Sequence, residues 1–578
     1  MKNISLVLLF IFAIGSSAGF FESESTIRST HRLSLLAIDN DGRGKTIDVF
    51  ITIYSPGRGA ITVVPSNAFA QDTIISFKLA LLYSSLLTGE DYRKYDYTIS
   101  VHGITQVEGT SASLLFLLFS ISLFKNESID SLKSATGIIG PGGVVGRVGG
   151  IPQKTEAARL SGLKLVIGPS TAEINDEIYR PVLTVFQAYE IYSNNAFLPD
   201  VKYGEMFSPV LNDFFKEIWN YFYGKTSETI SYLNDTQWDD SFLNNALRLL
   251  NDSTKYAEIN HYYTASSIAF QAYFYAYSSL LNYSYYNSPV DFSNLILKLK
   301  ENVSQARIEF ENTTSFLTCV NPFMIDAIAN AYKRLEEAEA SLVLAESSSG
   351  LTEKIGNYSY SIARAETSIT WLRLAALYGG KYCLSNSSLV SALWWMRELV
   401  STSISYYSVM SYLTGISIPS PTGNPLLDLI YLFGLLEELS NQLYANPLLI
   451  RNQIFPVVND TIVEDFMIES LKAVSVYTMN KLGMPIPSLI TMIEFLNDAS
   501  NLSNNIESII IQLLTSHGNA IAYLVFTMQH TPKSTLEYLY DPSLVPQLLL
   551  PVLVFLSLAG FLLVISGLER VKLIPASP

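Results

Sequence analysis

The chain has 578 residues, 49% of them apolar and only 15% charged, which excludes a disordered polypeptide and leaves room for about two or three domains. A net charge of −15 excludes a nucleic-acid binder, because neutralising phosphates needs clustered Lys and Arg. The two cysteines and five histidines form no CxxC, Cys/His or HExxH pattern, so neither a zinc site nor metalloprotease chemistry has support.

At the start, Met1-Lys2 precede an apolar run from Ile4 to Ile14 and the small residues Gly15-Ser16-Ser17-Ala18-Gly19. This pattern predicts an export signal over residues 1–18, cleaved after Ala18; the alternative is an uncleaved anchor. Residues 27–197 then read as mixed α/β. Strands are expected at Arg32–Ala37, Ile47–Tyr54, Ile61–Val64, Tyr97–Val101 and Lys164–Ile167, where branched apolar residues alternate or run together. Ser55-Pro56-Gly57-Arg58-Gly59 is a turn between two of them. Helical spacing covers Ala70–Leu87 and Ser111–Leu123, and another helix opens near Lys154.

Two segments in this region carry possible chemistry. Glu108-Gly109-Thr110-Ser111-Ala112-Ser113 is a small-residue turn running into a helix. A serine there sits at a helix N-terminus, whose backbone amides could hold an oxyanion. The second is Gly149-Gly150-Ile151-Pro152-Gln153-Lys154. A lysine acts as a general base only when burial lowers its pKa, and beside a serine it activates a nucleophile without histidine. Spacing alone favours the simpler reading, Ser111 as a helix cap and Lys154 as a solvated side chain. His102, on the strand before the turn, offers a Ser–His alternative.

The region from Ile27 to Ser193 resembles the proteolytic domain of the Lon family of serine–lysine peptidases. The family turn reads roughly DGPSAG, and here EGTSAS. The lysine segment, roughly GGLKEKLLAA followed by a glycine and a strand ending in Pro, reads GGIPQKTEAARLSGLKLVIGP. Thr136-Gly137 and Pro56-Gly57-Arg58-Gly59 fall where the family has a Thr-Gly and a PGKG turn. The resemblance implies Ser111 as nucleophile, Lys154 as base and Thr136 as a hydroxyl orienting the lysine, with Glu108, Gly109, Thr110 and Ala112 shaping the turn. Glu108, Thr110 and Ser113 depart from the family's Asp, Pro and Gly, which bears on rate and specificity. No GxxxxGK[ST] is present, and the ATP-driven unfolding module of many members is lacking, so no nucleotide, metal or other cofactor is expected.

From Val201 to Asp541 glycine thins while Tyr, Asn, Ser and Leu rise, and helical spacing recurs from Val210–Tyr223 to Ser488–Leu496. A helical array or bundle is expected, serving as scaffold, gate, spacer or oligomerisation surface. Tyr262, Tyr263, Tyr273, Tyr275 and Tyr277 read as helix packing or as a peptide groove. Cys319 and Cys383 are either one disulfide, if the chain is exported, or two buried thiols. Asn126, Asn234, Asn251, Asn282, Asn302, Asn312, Asn357, Asn386, Asn459 and Asn501 lie in Asn-x-Ser/Thr sequons that permit glycosylation. Leu548–Leu568 is almost wholly apolar and is followed by Arg570 and Lys572, which predicts a transmembrane helix over 545–568 and a cytoplasmic tail over 569–578. The composition is similar to that of archaeal envelope proteins.

The expected fold class is therefore an α/β, Lon-protease-like domain, a helical array, and one C-terminal membrane helix. The expected function is ATP-independent hydrolysis of peptide bonds in exported or unfolded polypeptides at a membrane surface, with polypeptide and lipid as partners and a second copy or an envelope protein met through the array. The alternative is a surface structural or binding protein that keeps the peptidase fold without turnover.

Overall fold

The computed structural model describes residues 25–101, 106–170, 176–199, 209–315, 317, 319–378, 382–410, 415–445, 460–502 and 506–528. The first sheet contains β1 (Thr26–Ile38), β2 (Gly44–Ser55), β3 (Ile61–Val64) and β4 (Asp96–Val101) in the order β1-β2-β4-β3. β1 and β2 form an antiparallel hairpin whose turn is fixed by Asp39, which accepts from the amides of Asp41 (3.0 Å) and Arg43 (2.8 Å). β4 runs antiparallel to β2 and parallel to β3. Alternate residues of the paired strands β2 and β4 (Val49, Ile51, Ile53; Tyr97, Ile99, Val101) are buried against α1 (Gln71–Thr88) and α2 (Ser113–Phe124). Every residue of α2 is buried, so this helix is covered on all sides, as its unbroken apolar sequence requires.

A second, parallel sheet of β5 (Lys133–Ala135), β8 (Leu165–Pro169) and β9 (Tyr179–Val182) follows in the order β5-β8-β9. Between β5 and β8 lie a short hairpin, β6 (Ile138–Ile139) with β7 (Val145–Gly146), and the helix α3 (Ile151–Leu160); α4 (Val185–Ser193) ends the region.

The rest is helical: α5 (Pro209–Asp235), α6 (Ser241–Glu258), α7 (Tyr262–Asn287), α8 (Pro289–Ser315), α9 (Pro322–Ser347), α10 (Leu351–Ala375), α11 (Asn386–Val409), α12 (Pro425–Ala445), α13 (Asp460–Leu482), α14 (Pro487–Leu502) and α15 (Ile506–Ala522). Among the tyrosines of α7, Tyr262 and Tyr273 are buried, while Tyr263, Tyr275 and Tyr277 are half-buried in helix contacts. One hydrophobic core runs from the sheet through α1 and α2 into this array. At the junction Arg93 lies over the rings of Trp394 (3.9 Å) and Trp395 (4.9 Å), and Lys78 pairs with Glu398 at 3.1 Å. Tyr444 donates its hydroxyl to the Pro141 carbonyl, and Tyr477 donates to that of Leu87.

Backbone meets backbone where the loop after β6 reaches α15. Gly142 has φ +74°, and a Cβ there would stand 2.5 Å from His517 Cβ and 2.6 Å from Gly518 N. Gly142→Ala therefore combines an unfavourable φ with a clash against helix backbone, and should destabilise the protein by about 2–4 kcal/mol in urea unfolding. A loss within a few tenths of a kcal/mol of zero would mean that this contact is not tight in solution.

The expected fold class needs correction. Helix makes up 67% of the structure, and the sheets, the largest of them mixed, are small and confined to the N-terminal region, so this is not an α/β domain with a helical appendage. The strand pattern in the sequence was sound locally, but the buried faces of the strands and of α1 and α2 belong to a core that the array completes. No helix among the described residues is long and apolar enough to cross a membrane, so the expected single-pass anchor is not supported. The run Leu548–Leu568 and the segment 1–18 lie outside the described residues.

Cys319 and Cys383 form a disulfide, with 5.1 Å between their Cα atoms. Of the sequon residues, Asn126, Asn234, Asn251, Asn302, Asn312 and Asn386 are exposed. Asn282 and Asn357 are half-buried, and Asn282 donates to Asp240 at 2.9 Å. Asn459 and the side chain of Asn501 lie outside the described residues.

Candidate active site

The turn 108–113 is built by α1 as much as by its own sequence. Val107 pairs with Phe69 as an isolated parallel bridge, and its carbonyl accepts from the Ala70 amide at 2.9 Å. Asp72, in the first turn of α1, accepts from the Gly109 amide (2.8 Å) and from the Thr73 amide (2.6 Å). The Thr73 hydroxyl contacts the carbonyls of Val107 (3.3 Å) and Gly109 (3.2 Å). Gly109 has φ +98° and ψ 155°, a backbone conformation open to glycine alone. Glu108 is exposed, and Thr110-Ser111-Ala112 form a single 3-10 turn leading into α2. Ser111 is half-buried at the positive end of that helix.

Lys154 occupies the first turn of α3 and is only 4% exposed. Its Nζ donates to Thr136 Oγ1 at 3.2 Å, and among the described residues no carboxylate pairs with it. Burial penalises the ammonium form and brings its pKa down to about 8. Thr136 is held at the end of β5 by its amide, which donates to the Ile167 carbonyl at 2.8 Å. Its hydroxyl donates to the Ser111 carbonyl at 3.3 Å, and the Gly137 amide donates to the same carbonyl at 2.8 Å. Amine, threonine hydroxyl and serine backbone thus form one chain of contacts, with polarity set because the Thr136 proton is used toward Ser111. The structure brings Ser111, Thr136 and Lys154 together, though no direct hydrogen bond joins Ser111 Oγ to Lys154 Nζ. Catalytic hydrogen bonds are often long without substrate.

Residues the sequence did not single out complete the surroundings. Thr110 donates to Met410 Sδ at 3.2 Å, at the C-terminal end of α11. The hydroxyl of Tyr406, on the same helix, lies 2.9 Å from Ser113 Oγ and accepts from the Ile139 amide at 3.2 Å. Tyr407 donates to the Ile139 carbonyl at 2.9 Å. No local signal marks these, since each contact spans some hundreds of residues in sequence. Asp72 had one: an acid in the first turn of a helix. His102 lies outside the described residues.

No protein-family model matches the chain, and no curated protein matches it.

Proposed function

We propose that the protein is a serine peptidase of the Lon type, acting without ATP, in which Ser111 attacks the peptide carbonyl and Lys154 takes the proton from Ser111 Oγ and returns it to the leaving amine. The observation that carries this reading is the buried Lys154, paired with no carboxylate among the described residues and tied through Thr136 to the serine at a helix N-terminus. A buried lysine without an acid partner is unfavourable for stability, and a pKa near 8 suits it to exchange protons near neutral pH. Backbone amides at the start of α2 would hold the oxyanion. Unfolded polypeptides are the fitting substrates, since hydrolysis alone cannot unfold a stable protein. The Cys319–Cys383 disulfide favours an oxidising, exported location.

The full chain is incubated with an unfolded protein, such as fluorescently labelled casein, without nucleotide, together with the Ser111→Ala and Thr136→Val variants. Cleavage should vanish in Ser111→Ala. In Thr136→Val it should fall about 10- to 100-fold, because the amine loses the one hydrogen-bond partner it has among the described residues. The second reading, a binding protein without turnover, is favoured by the absence of a direct Ser111–Lys154 hydrogen bond. Cleavage that is absent from every folded form across pH 6–10 would put that reading first, and cleavage that persists in Ser111→Ala would overturn Ser111 as the nucleophile.

A further inference from the structure

The Ser113 hydroxyl is wholly buried and takes part in four-membered traffic. It lies 2.8 Å from the Thr110 carbonyl, 2.9 Å from the Gly137 carbonyl and 2.9 Å from Tyr406 Oη. Both carbonyls are acceptors only, so the single Ser113 proton must go to one or be shared between them. Ser113 Oγ is then the acceptor for Tyr406. The Tyr406 oxygen, for its part, accepts from the Ile139 amide. The direction of every link is fixed: Ile139 N–H to Tyr406, Tyr406 O–H to Ser113, Ser113 O–H to the carbonyls of Gly137 and Thr110. The Gly137 amide closes the circuit on the Ser111 carbonyl at 2.8 Å, and the Leu114 amide donates back to the Gly137 carbonyl at 3.1 Å.

This circuit fastens the Thr136-Gly137 link between β5 and β6 to the turn that carries Ser111, and the helical array supplies its middle member. We infer that Tyr406 is a positioning residue: through Ser113 and Ile139 it sets the distance between Ser111 and the Lys154–Thr136 pair, so the array is part of the active site rather than a spacer. The inference rests on the peptidase reading above.

Tyr406→Phe keeps the ring and removes only the hydroxyl. With the full chain and labelled casein, kcat should fall about 10- to 100-fold while KM stays within about twofold, since the substrate is bound but the dyad is out of register. Ser113→Ala should give the same loss, and the double variant no further loss, because both break one circuit. Labelling of Ser111 by a fluorophosphonate, followed by peptide mass spectrometry, should slow in parallel. Tyr477→Phe, which removes a comparable hydroxyl-to-carbonyl tie on Leu87, should leave kcat unchanged. Should Tyr406→Phe fail to fold, Ser113→Ala carries the test. Parental kcat in both variants, or additive losses in the double variant, overturns the positioning role and leaves the peptidase reading standing. A parent that neither cleaves casein nor labels at Ser111 overturns the peptidase reading, and the positioning role with it.

Discussion

Lys154→Met should abolish hydrolysis and, at neutral pH, make the protein more stable than its parent. Lys154 is 4% exposed and its pKa in the fold is about 8, against about 10.4 in an unfolded chain. The native state therefore binds this proton less tightly than the unfolded state does. A group with a depressed folded pKa contributes stability that is fully present above its unfolded pKa, here about 10.4, and lost as pH falls through about 8. Below pH 8 the full penalty, on the order of 3 kcal/mol, is in force. Methionine has a similar length, no charge to desolvate, and adapts to irregular space. It loses the hydrogen bond to Thr136, worth about 1 kcal/mol. Urea unfolding at pH 7 should thus show Lys154→Met ahead of the parent by about 2 kcal/mol, with the advantage disappearing toward pH 10. The activity of the parent should rise with pH through about 8, as the amine loses its proton. A Met variant less stable than the parent at pH 7, or a stability gap that ignores pH, would show that burial does not lower the Lys154 pKa, and the base assignment would go with it.

What was legible in the sequence was local. The alternation of Val49, Ile51 and Ile53 gave the face of β2, and Gly109-Thr110-Ser111 gave a turn into a helix because glycine and small residues permit little else there. Lys154 and Thr136 could be paired only through the family resemblance, since spacing along the chain does not say which residues meet across β5 and α3. The hairpin of β6 and β7 has strands too short to show any periodicity. The larger error concerned the core. An apolar stripe reports that a surface is covered but not by what, so α1 and α2 read as the helices of a self-contained α/β domain. They are instead covered in part by an array that begins beyond residue 200. Nothing along the chain singles out Tyr406, Met410 or Tyr444, although their polar atoms end on Ser113, Thr110 and Pro141. A tyrosine hydroxyl buried in a core needs a partner, but the sequence does not reveal that the partner is a turn about 300 residues away.

Removing the Cys319–Cys383 bond should destabilise the protein by about 4 kcal/mol, because it closes a loop of 64 residues. The bond joins the segment ahead of α9 to the segment ahead of α11, where the Leu384 amide also donates to the Val320 carbonyl at 2.7 Å. Within the loop lies the antiparallel pair α9–α10. Asn321 caps α9 by accepting from the Met324 amide at 2.9 Å, and Arg334 of α9 lies 4.7 Å over Trp371 of α10. The cross-link thus restrains the base of α11, the helix whose far end carries Tyr406 and Met410 to the turn that holds Ser111. If the array is part of the site, loss of the bond has a functional consequence as well as a thermodynamic one. The Cys319→Ser/Cys383→Ser variant should unfold at lower urea concentration, and its casein-cleaving activity should be lost along the same curve rather than after it. The parent under reducing agent should behave in the same way. Activity that outlasts the unfolding of the array, followed by tryptophan fluorescence of Trp394 and Trp395, would separate the two units and return the array to the role of a spacer.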